Sequence, residues 1–145
     1  LRIAVTATRG GEVLRWVQVV TDTPENRAAN RVDELYLVAD DGREERLPNE
    51  NNADLLRLYA WTLPAIEAVP TRTISETTQR LSFAGREWTC RVTEQALDGA
   101  GDDARMRTSE CDELVWTHGP ASLTVGGETL WSVDVVEVSR PPVER

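Results

Sequence analysis

Residues 90–111 read CRVTEQALDGAGDDARMRTSEC, with Cys90 and Cys111 at the two ends. A turn between Ala100 and Gly101 would place the two cysteines opposite each other on neighbouring strands. The same register brings together three further pairs of the kinds that antiparallel strands favour, namely Arg91–Glu110, Thr93–Thr108 and Glu94–Arg107. Because one register satisfies all of these pairs, we predict an antiparallel hairpin closed by a Cys90–Cys111 disulfide.

The predicted disulfide also indicates where the protein works. Disulfides persist in oxidising compartments, and these are the only two cysteines of the chain. They do not form a Cys-x-x-Cys motif, so a redox-catalytic pair is not expected. We therefore expect a protein of the periplasm or outer membrane, or an extracellular protein.

The length and charge of the chain exclude several classes of protein. A chain of 145 residues suits a single domain over residues 1–145, and residues 140–145 read as a frayed polar tail. The net charge of −9 argues against a nucleic-acid partner and against electrostatic binding to an anionic membrane. No apolar run approaches the roughly 18 residues of a membrane-spanning helix, so we expect no transmembrane segment in this chain.

Turn signals recur along the chain and divide it into strand-like segments. They lie at Gly10–Gly11, at Asp-Asp-Gly in residues 40–42, at Ala84–Gly85 and at Gly126–Gly127. The first turn predicts that Arg9 opposes Glu12 and that Val5 shares a face with Trp16, and the last turn predicts that Leu123 faces Leu130. The polar stretch Thr21–Arg31 is predicted to be a loop.

One segment has helical rather than strand periodicity. Apolar residues recur at helical spacing after Ala53, namely Leu55, Leu56, Tyr59, Leu63 and Ile66. Pro64 predicts a kink or a break near residues 61–63, and Pro70 ends the segment. The sequence therefore predicts an α+β, mainly β fold, a curved antiparallel meander of about nine strands wrapped on one central amphipathic helix.

Residue patterns for catalysis or metal binding are sparse. His118 is the only histidine and lies in a Thr-His-Gly-Pro turn, and no Gly-x-Ser-x-Gly elbow is present. One histidine and two cysteines that prefer each other do not make a zinc site. We therefore predict no catalytic residue, no metal and no cofactor, and leave open only calcium at the Asp98–Asp103 loop, which offers oxygen ligands. The acidic cluster Glu110, Asp112 and Glu113 is predicted to lie on an exposed hairpin.

Aromatic side chains are the best candidates for ligand contact. Trp16 and Trp88 fall on apolar faces of predicted strands, whereas Tyr59 and Trp61 fall in the predicted helix. An apolar concavity can form between the helix and the sheet, so we expect a ligand site there. Trp61 is the candidate for its rim, because Pro64 frees the backbone nearby.

The segment from Leu81 to Val138 resembles the C-terminal half of uncharacterised bacterial envelope proteins, often lipoproteins from GC-rich genomes. The residues that carry the likeness are Gly85, Cys90, Trp116, the pair Gly119–Pro120 and the pair Gly126–Gly127. Such proteins are similar to the lipoprotein-carrier (LolA-like) half-barrel, a curved antiparallel sheet wrapped on helix. The resemblance implies a cell-envelope location, a lipid as ligand, and a signal sequence or lipid anchor that can precede Leu1.

These observations predict a non-enzymatic cell-envelope or secreted binding protein. Its expected partner is a lipid or other hydrophobic small molecule, or another envelope protein. One alternative is a secreted protein–protein interaction module of inhibitor or immunity type. A second is a carboxylate-based hydrolase, which would need at least two acidic groups in one pocket with perturbed pKa values.

Overall fold

A computed structural model describes residues 1–29, 31–48, 50, 53–62, 70–97, 103–114 and 119–139, with the backbone alone at residues 56, 59–62, 70 and 71. The described chain is mainly β and contains nine strands and two helices. The strands of the first part are β1 (Arg2–Arg9), β2 (Glu12–Val19), β3 (Glu34–Val38) and β4 (Glu44–Leu47). Those of the second part are β5 (Pro70–Phe83), β6 (Arg86–Leu97), β7 (Arg105–Cys111), β8 (Ala121–Val125) and β9 (Glu128–Ser139). The helices are α1 (Pro24–Ala29) and α2 (Ala53–Thr62).

All nine strands form one open antiparallel sheet in the order β4-β3-β2-β1-β9-β8-β7-β6-β5. Two meanders of chain-adjacent hairpins, β1 to β4 and β5 to β9, therefore lie side by side. They meet where β1 pairs with β9, which we call the seam. The predicted antiparallel sheet of about nine strands is thus confirmed, but it is not one continuous meander, because the seam pairs two strands that are far apart in sequence.

The β6–β7 hairpin has the predicted register. Cys90 pairs with Cys111 and the two form a disulfide. The other three predicted pairs are confirmed as well, namely Arg91–Glu110, Thr93–Thr108 and Glu94–Arg107. The first of them is an ion pair with 2.5 Å between Arg91 Nη2 and Glu110 Oε2. The disulfide is compatible with the expected oxidising compartment.

Two local predictions are corrected by the structure. Leu123 faces Trp131 rather than Leu130, because a bulge between Leu123 and Thr124 leaves Leu130 as an extra residue in β9. The stretch predicted as a loop contains α1. Thr23 begins this helix by accepting a hydrogen bond at Oγ1 from the Asn26 amide, and Pro24 occupies the first helical position.

The apolar core follows the alternation of the strands around the seam. Ile3, Val5 and Ala7 of β1 are buried on one face, and the predicted register of β1 with β2 is confirmed, with Val5 opposite Trp16. Val5 faces Val135 across the seam. Trp16 is fully buried, and its indole nitrogen donates to Gln18 Oε1 at 3.0 Å, so the buried amide has a polar partner.

Strands β4 and β5 are the opposite edges of the sheet, so the chain goes from one edge to the other between them. This connection carries α2, which lies close to β1 and β9 at the centre. Leu55 on α2 is 6% exposed and belongs to the same apolar cluster as Ile3 and Val5. The side chains of Leu56 and Tyr59, and all of Ile66, lie outside the described residues, so the wrapping of the sheet on this helix stays a prediction.

No helix in the described ranges is long and apolar enough to cross a membrane.

The disulfide should contribute measurably to stability. It joins residues separated by 21 positions, for which the chain-entropy model gives about 3 kcal/mol. We expect reduction to lower the free energy of unfolding in urea by about that amount, and mass spectrometry of the oxidised protein to find no free thiol. The double variant Cys90→Ala/Cys111→Ala is the control and should not respond to reductant. Two free thiols in the oxidised protein would contradict this prediction.

Burial of Leu55 predicts that α2 is held by the core. We expect Leu55→Ala to lower the free energy of unfolding by about 2–5 kcal/mol, since it removes buried methyl groups and leaves a cavity. Arg57→Ala on the exposed side of the same helix is the matched control, with an expected change within about 0.5 kcal/mol. A loss at Leu55 as small as that at Arg57 would show that α2 does not pack on the sheet.

Candidate functional site

Strand β9 carries polar side chains on one face although it lies in the middle of the sheet. Val133 and Val135 are buried in the core cluster, whereas Ser132 and Asp134 alternate with them and point to the opposite face. The neighbouring strands of a central strand cover its two edges but not its two faces. The surroundings of the polar face therefore depend on what lies above the sheet at that point. Over this face the structure contains a groove.

The groove forms because the second meander curls until β5 approaches β9, although several strands separate the two in the sheet order. The cavity between them has a volume of about 300 Å³. We call it the β5–β9 groove, and it is lined by Leu81, Ser82, Phe83, Arg107, Ser109, Pro120, Ala121, Ser122, Ser132 and Asp134. Four serines, one arginine and one aspartate give this groove far more polar groups than a packed interior contains.

The floor of the groove is a row of side chains across three strands. Arg107 on β7 faces Ser122 on β8, and Ser122 faces Ser132 on β9. Asp134 and Ser109 follow two residues further along their strands, so alternation puts them on the same face. The sheet register therefore places Arg107, Ser122 and Ser132 in one row, with Asp134 and Ser109 at the two ends of the next row.

The segment at Gly119 and Pro120 forms one rim of the groove and is fixed to β7. The Gly119 amide donates to the Ser109 carbonyl at 2.9 Å, and Ser109 Oγ donates to the Pro120 carbonyl at 2.7 Å. A Cβ atom at position 119 would lie 2.5 Å from Ser109 Oγ and 2.9 Å from Cys111 Sγ. Only glycine fits there, so the disulfide and Ser109 together determine how closely this rim approaches the floor.

The opposite wall is an aromatic stack. Phe83, which lines the groove, stacks on Trp88 with ring centroids 5.2 Å apart. The Trp88 indole nitrogen donates to the Phe83 carbonyl at 3.0 Å, and the Arg86 guanidinium lies 4.0 Å from the Trp88 ring centroid. This wall therefore combines an apolar ring with a backbone hydrogen bond, and Trp88 packs against the Phe83 ring.

Arg107 and Asp134 are the two charged residues of the groove. Most arginines in the described part of the chain form ion pairs, but within that part neither Arg107 nor Asp134 does so. Although much of the Asp134 side chain is exposed, the groove removes enough water to raise the pKa of its carboxyl group above the usual value. The groove thus offers one cation, one anion and several hydroxyls for recognition.

The residues predicted to line a ligand site are not brought together in this groove. Trp16 and Trp88 are buried on β2 and β6, and each indole nitrogen has a hydrogen-bond acceptor inside the fold. Trp88 comes nearest to the groove, through its stack on Phe83. The side chains of Tyr59 and Trp61 lie outside the described residues. A ligand-binding role for these four aromatic residues stays a prediction.

The other sequence candidates have structural partners or fall outside the description. In the acidic cluster, Glu113 pairs with Arg86 and Glu110 pairs with Arg91. His118 and residues 98–102 of the predicted calcium loop are not among the described residues, while Asp103 forms an ion pair of 2.7 Å with Arg105. Within the ranges described, no group of three or more His, Cys, Asp or Glu side chains could hold a metal ion.

Sequence reasoning missed the groove residues. The sequence predicted that Arg107 pairs with Glu94 across the hairpin, and the register confirms this. No ion pair joins the two side chains in the described structure. Ser132 and Asp134 were not among the predicted site residues, and only the approach of β5 makes their face of β9 the floor of a groove. The available signal was the surplus of small polar residues at 122 and 132, which is weak by itself.

Comparison of the chain with protein-family models, with curated proteins and with solved structures found no match in any of the three. The likeness to bacterial envelope proteins and to the lipoprotein-carrier half-barrel therefore stays a prediction.

The pKa of Asp134 predicts how stability depends on pH. Since the pKa is higher in the folded protein than in the unfolded chain, the free energy of unfolding falls as the pH rises through the folded-state value. Asp134→Asn removes this loss of stability, because asparagine does not ionise. We expect the variant to be at least as stable as the wild type near about pH 7, and the difference to vanish below about pH 4, where both states are protonated.

Urea unfolding at a series of pH values checks this expectation. A variant that is less stable than the wild type near neutral pH, and equal to it in acid, would show that the Asp134 carboxylate has a stabilising partner.

Proposed function

We propose that this chain is a non-enzymatic binding protein of the cell envelope or the extracellular space, and that it binds a small ligand in the β5–β9 groove. The observation that carries the proposal is the presence of Arg107 and Asp134 in one groove without ion-pair partners in the described structure. Both side chains are exposed, so each of them is accessible to a ligand, and a ligand that carries charge can pair with them.

The disulfide supports the proposed location. A Cys90–Cys111 bond is compatible with an oxidising compartment, where such bonds persist. The periplasm, the outer membrane and the extracellular space all meet this condition. The lipid anchor implied by the envelope resemblance remains part of the proposal.

The size of the groove limits the ligand. A cavity of about 300 Å³ is at the lower end of the range for small-molecule sites. It suits a compact molecule with polar groups better than a whole acyl chain. The predicted lipid or other hydrophobic ligand would have to lie elsewhere, between α2 and the sheet, where the side chains of Tyr59 and Trp61 are not described.

A protein partner is the second candidate, and the edge strand β5 favours it. Residues 72–80 of this strand are all exposed, including Ile74, which is 43% exposed. An exposed edge strand offers free backbone groups to a strand from another chain. This observation supports the interaction module of inhibitor or immunity type that the sequence left as an alternative.

Hydrolysis by paired carboxylates has less support. Such a mechanism needs two acidic groups in one pocket, and Asp134 is the single carboxylate among the residues that line the groove. Glu110 and Glu113, the members of the acidic cluster with described partners, are ion-paired with arginines instead. The arrangement therefore favours binding.

The proposal predicts that small ligands change the chemical shifts of backbone amides in the groove and of no others. We would titrate the protein with a panel of fatty acids, carboxylates, amines and zwitterions and follow backbone amide shifts by NMR. Shifts should cluster at Ser109, Ser122 and Ser132. Ser122→Phe should fill the groove and abolish them, whereas Thr124→Phe, on the same face of β8 but outside the lining, should leave them unchanged.

Three outcomes would overturn the groove as the binding site. The first is a panel in which no member shifts the groove amides. The second is equal loss in both phenylalanine variants while each keeps the amide spectrum of a folded protein, which would show that filling the groove is not what prevents binding. The third is a set of shifts around α2 alone, which would favour the hydrophobic-ligand site predicted from the sequence.

A further inference from the structure

The two charged residues of the groove are opposite in sign and lie on different strands. Arg107 and Ser132 lie two strands apart in the register, so their backbones are separated by about 10 Å at the usual strand spacing. Asp134 lies two residues beyond Ser132 on the same strand. No ion pair joins Arg107 to Asp134 in the described structure, although both line the same cavity. Ser122 and Ser132 line the same cavity and continue the row that begins at Arg107.

This spacing matters because a direct ion pair would neutralise both groups and leave nothing for a ligand. Glu94, the cross-strand neighbour of Arg107, does not pair with it either within the described residues. The guanidinium therefore keeps its planar donor fork for an external anion, which it can bind with two parallel hydrogen bonds. The carboxylate of Asp134 likewise keeps its acceptors for an external cation.

We propose that the β5–β9 groove binds a small zwitterion, an amino acid or another amino-carboxylate, with its anionic group at Arg107 and its ammonium group at Asp134. The hydroxyls of Ser122 and Ser132 hydrogen-bond the polar atoms between the two charged ends. This inference rests on the proposed function, since it names the ligand class of the same groove.

The same arrangement discriminates against ligands with one charge. A simple carboxylate bound at Arg107 leaves Asp134 unpaired and is repelled by it, and a simple amine at Asp134 is repelled by Arg107. Only a ligand that carries both charges compensates both groups. Selectivity thus comes from repulsion of the wrong ligand as well as from attraction of the right one.

Isothermal titration calorimetry with a chain-length series tests this inference. The series is glycine, β-alanine, γ-aminobutyrate, 5-aminopentanoate and 6-aminohexanoate, with butyrate and butylamine as ligands of one charge. We expect one member of the series to bind at least about tenfold more tightly than either single-charge ligand. The length that binds best reports the distance between the two charged groups.

Two substitutions give a signature that a purely structural role would not produce. Asp134→Asn should lower the affinity for the best zwitterion about tenfold. It should at the same time raise the affinity for butyrate, because the repulsion between the two carboxylates is removed. Arg107→Gln should lower the affinity for the zwitterion by a similar factor and raise the affinity for butylamine. Arg43→Gln, at an exposed arginine in the β3–β4 turn far along the sheet from the groove, is the matched control and should change nothing.

The results separate this inference from the proposed function. If zwitterions bind no more tightly than butyrate and butylamine while other ligands still shift the groove amides, the groove binds something else and the zwitterion assignment is wrong. If no ligand binds in the groove, both are wrong. The comparison of ligands on the wild-type protein decides the matter even if a variant fails to fold.

Discussion

The pairing of β1 with β9 is the interaction on which the rest of the structure depends. Every other pairing in the sheet joins strands that follow one another in the chain. The seam alone turns two separate meanders into one sheet, with Val5 and Ala7 facing Val135 and Val133 in the core. Opposite the step from Ala4 to Val5, β9 has one extra residue, Val136, which is unpaired and 54% exposed. Such a bulge increases the twist of the strand, so β9 is locally twisted at the seam.

The seam has a direct consequence for the groove. It fixes one side of β9 to the first meander, while β8 and the strands beyond it in the sheet curl back until β5 reaches the other face. The same strand therefore presents apolar residues to the core and polar residues to the groove. Because Arg107 and Asp134 are attached to different strands of a hydrogen-bonded sheet, the separation of their backbones is set by the register.

Local sequence signals predicted the hairpins well, because each hairpin is specified by its own turn and cross-strand pairs. All four pairs of the β6–β7 hairpin were correct, whereas the pairing of Leu123 with Leu130 was wrong by one residue because turn signals do not reveal a bulge. The short helix after Thr23 was missed although its capping signal was present. The seam and the roles of Arg107 and Asp134 could not be predicted, since they arise from contacts between segments far apart in the chain.

The disulfide has a consequence for how folding of this protein can be monitored. Cys90 and Cys111 face each other within a single hairpin, so the bond can form as soon as that hairpin exists. A chain whose two meanders had never met could therefore be fully oxidised and would pass any assay that counts thiols. In a secretory pathway, oxidation would not distinguish such a chain from the finished protein. A reporter of completed folding has to sit at the seam, where Trp131 lies opposite Arg9.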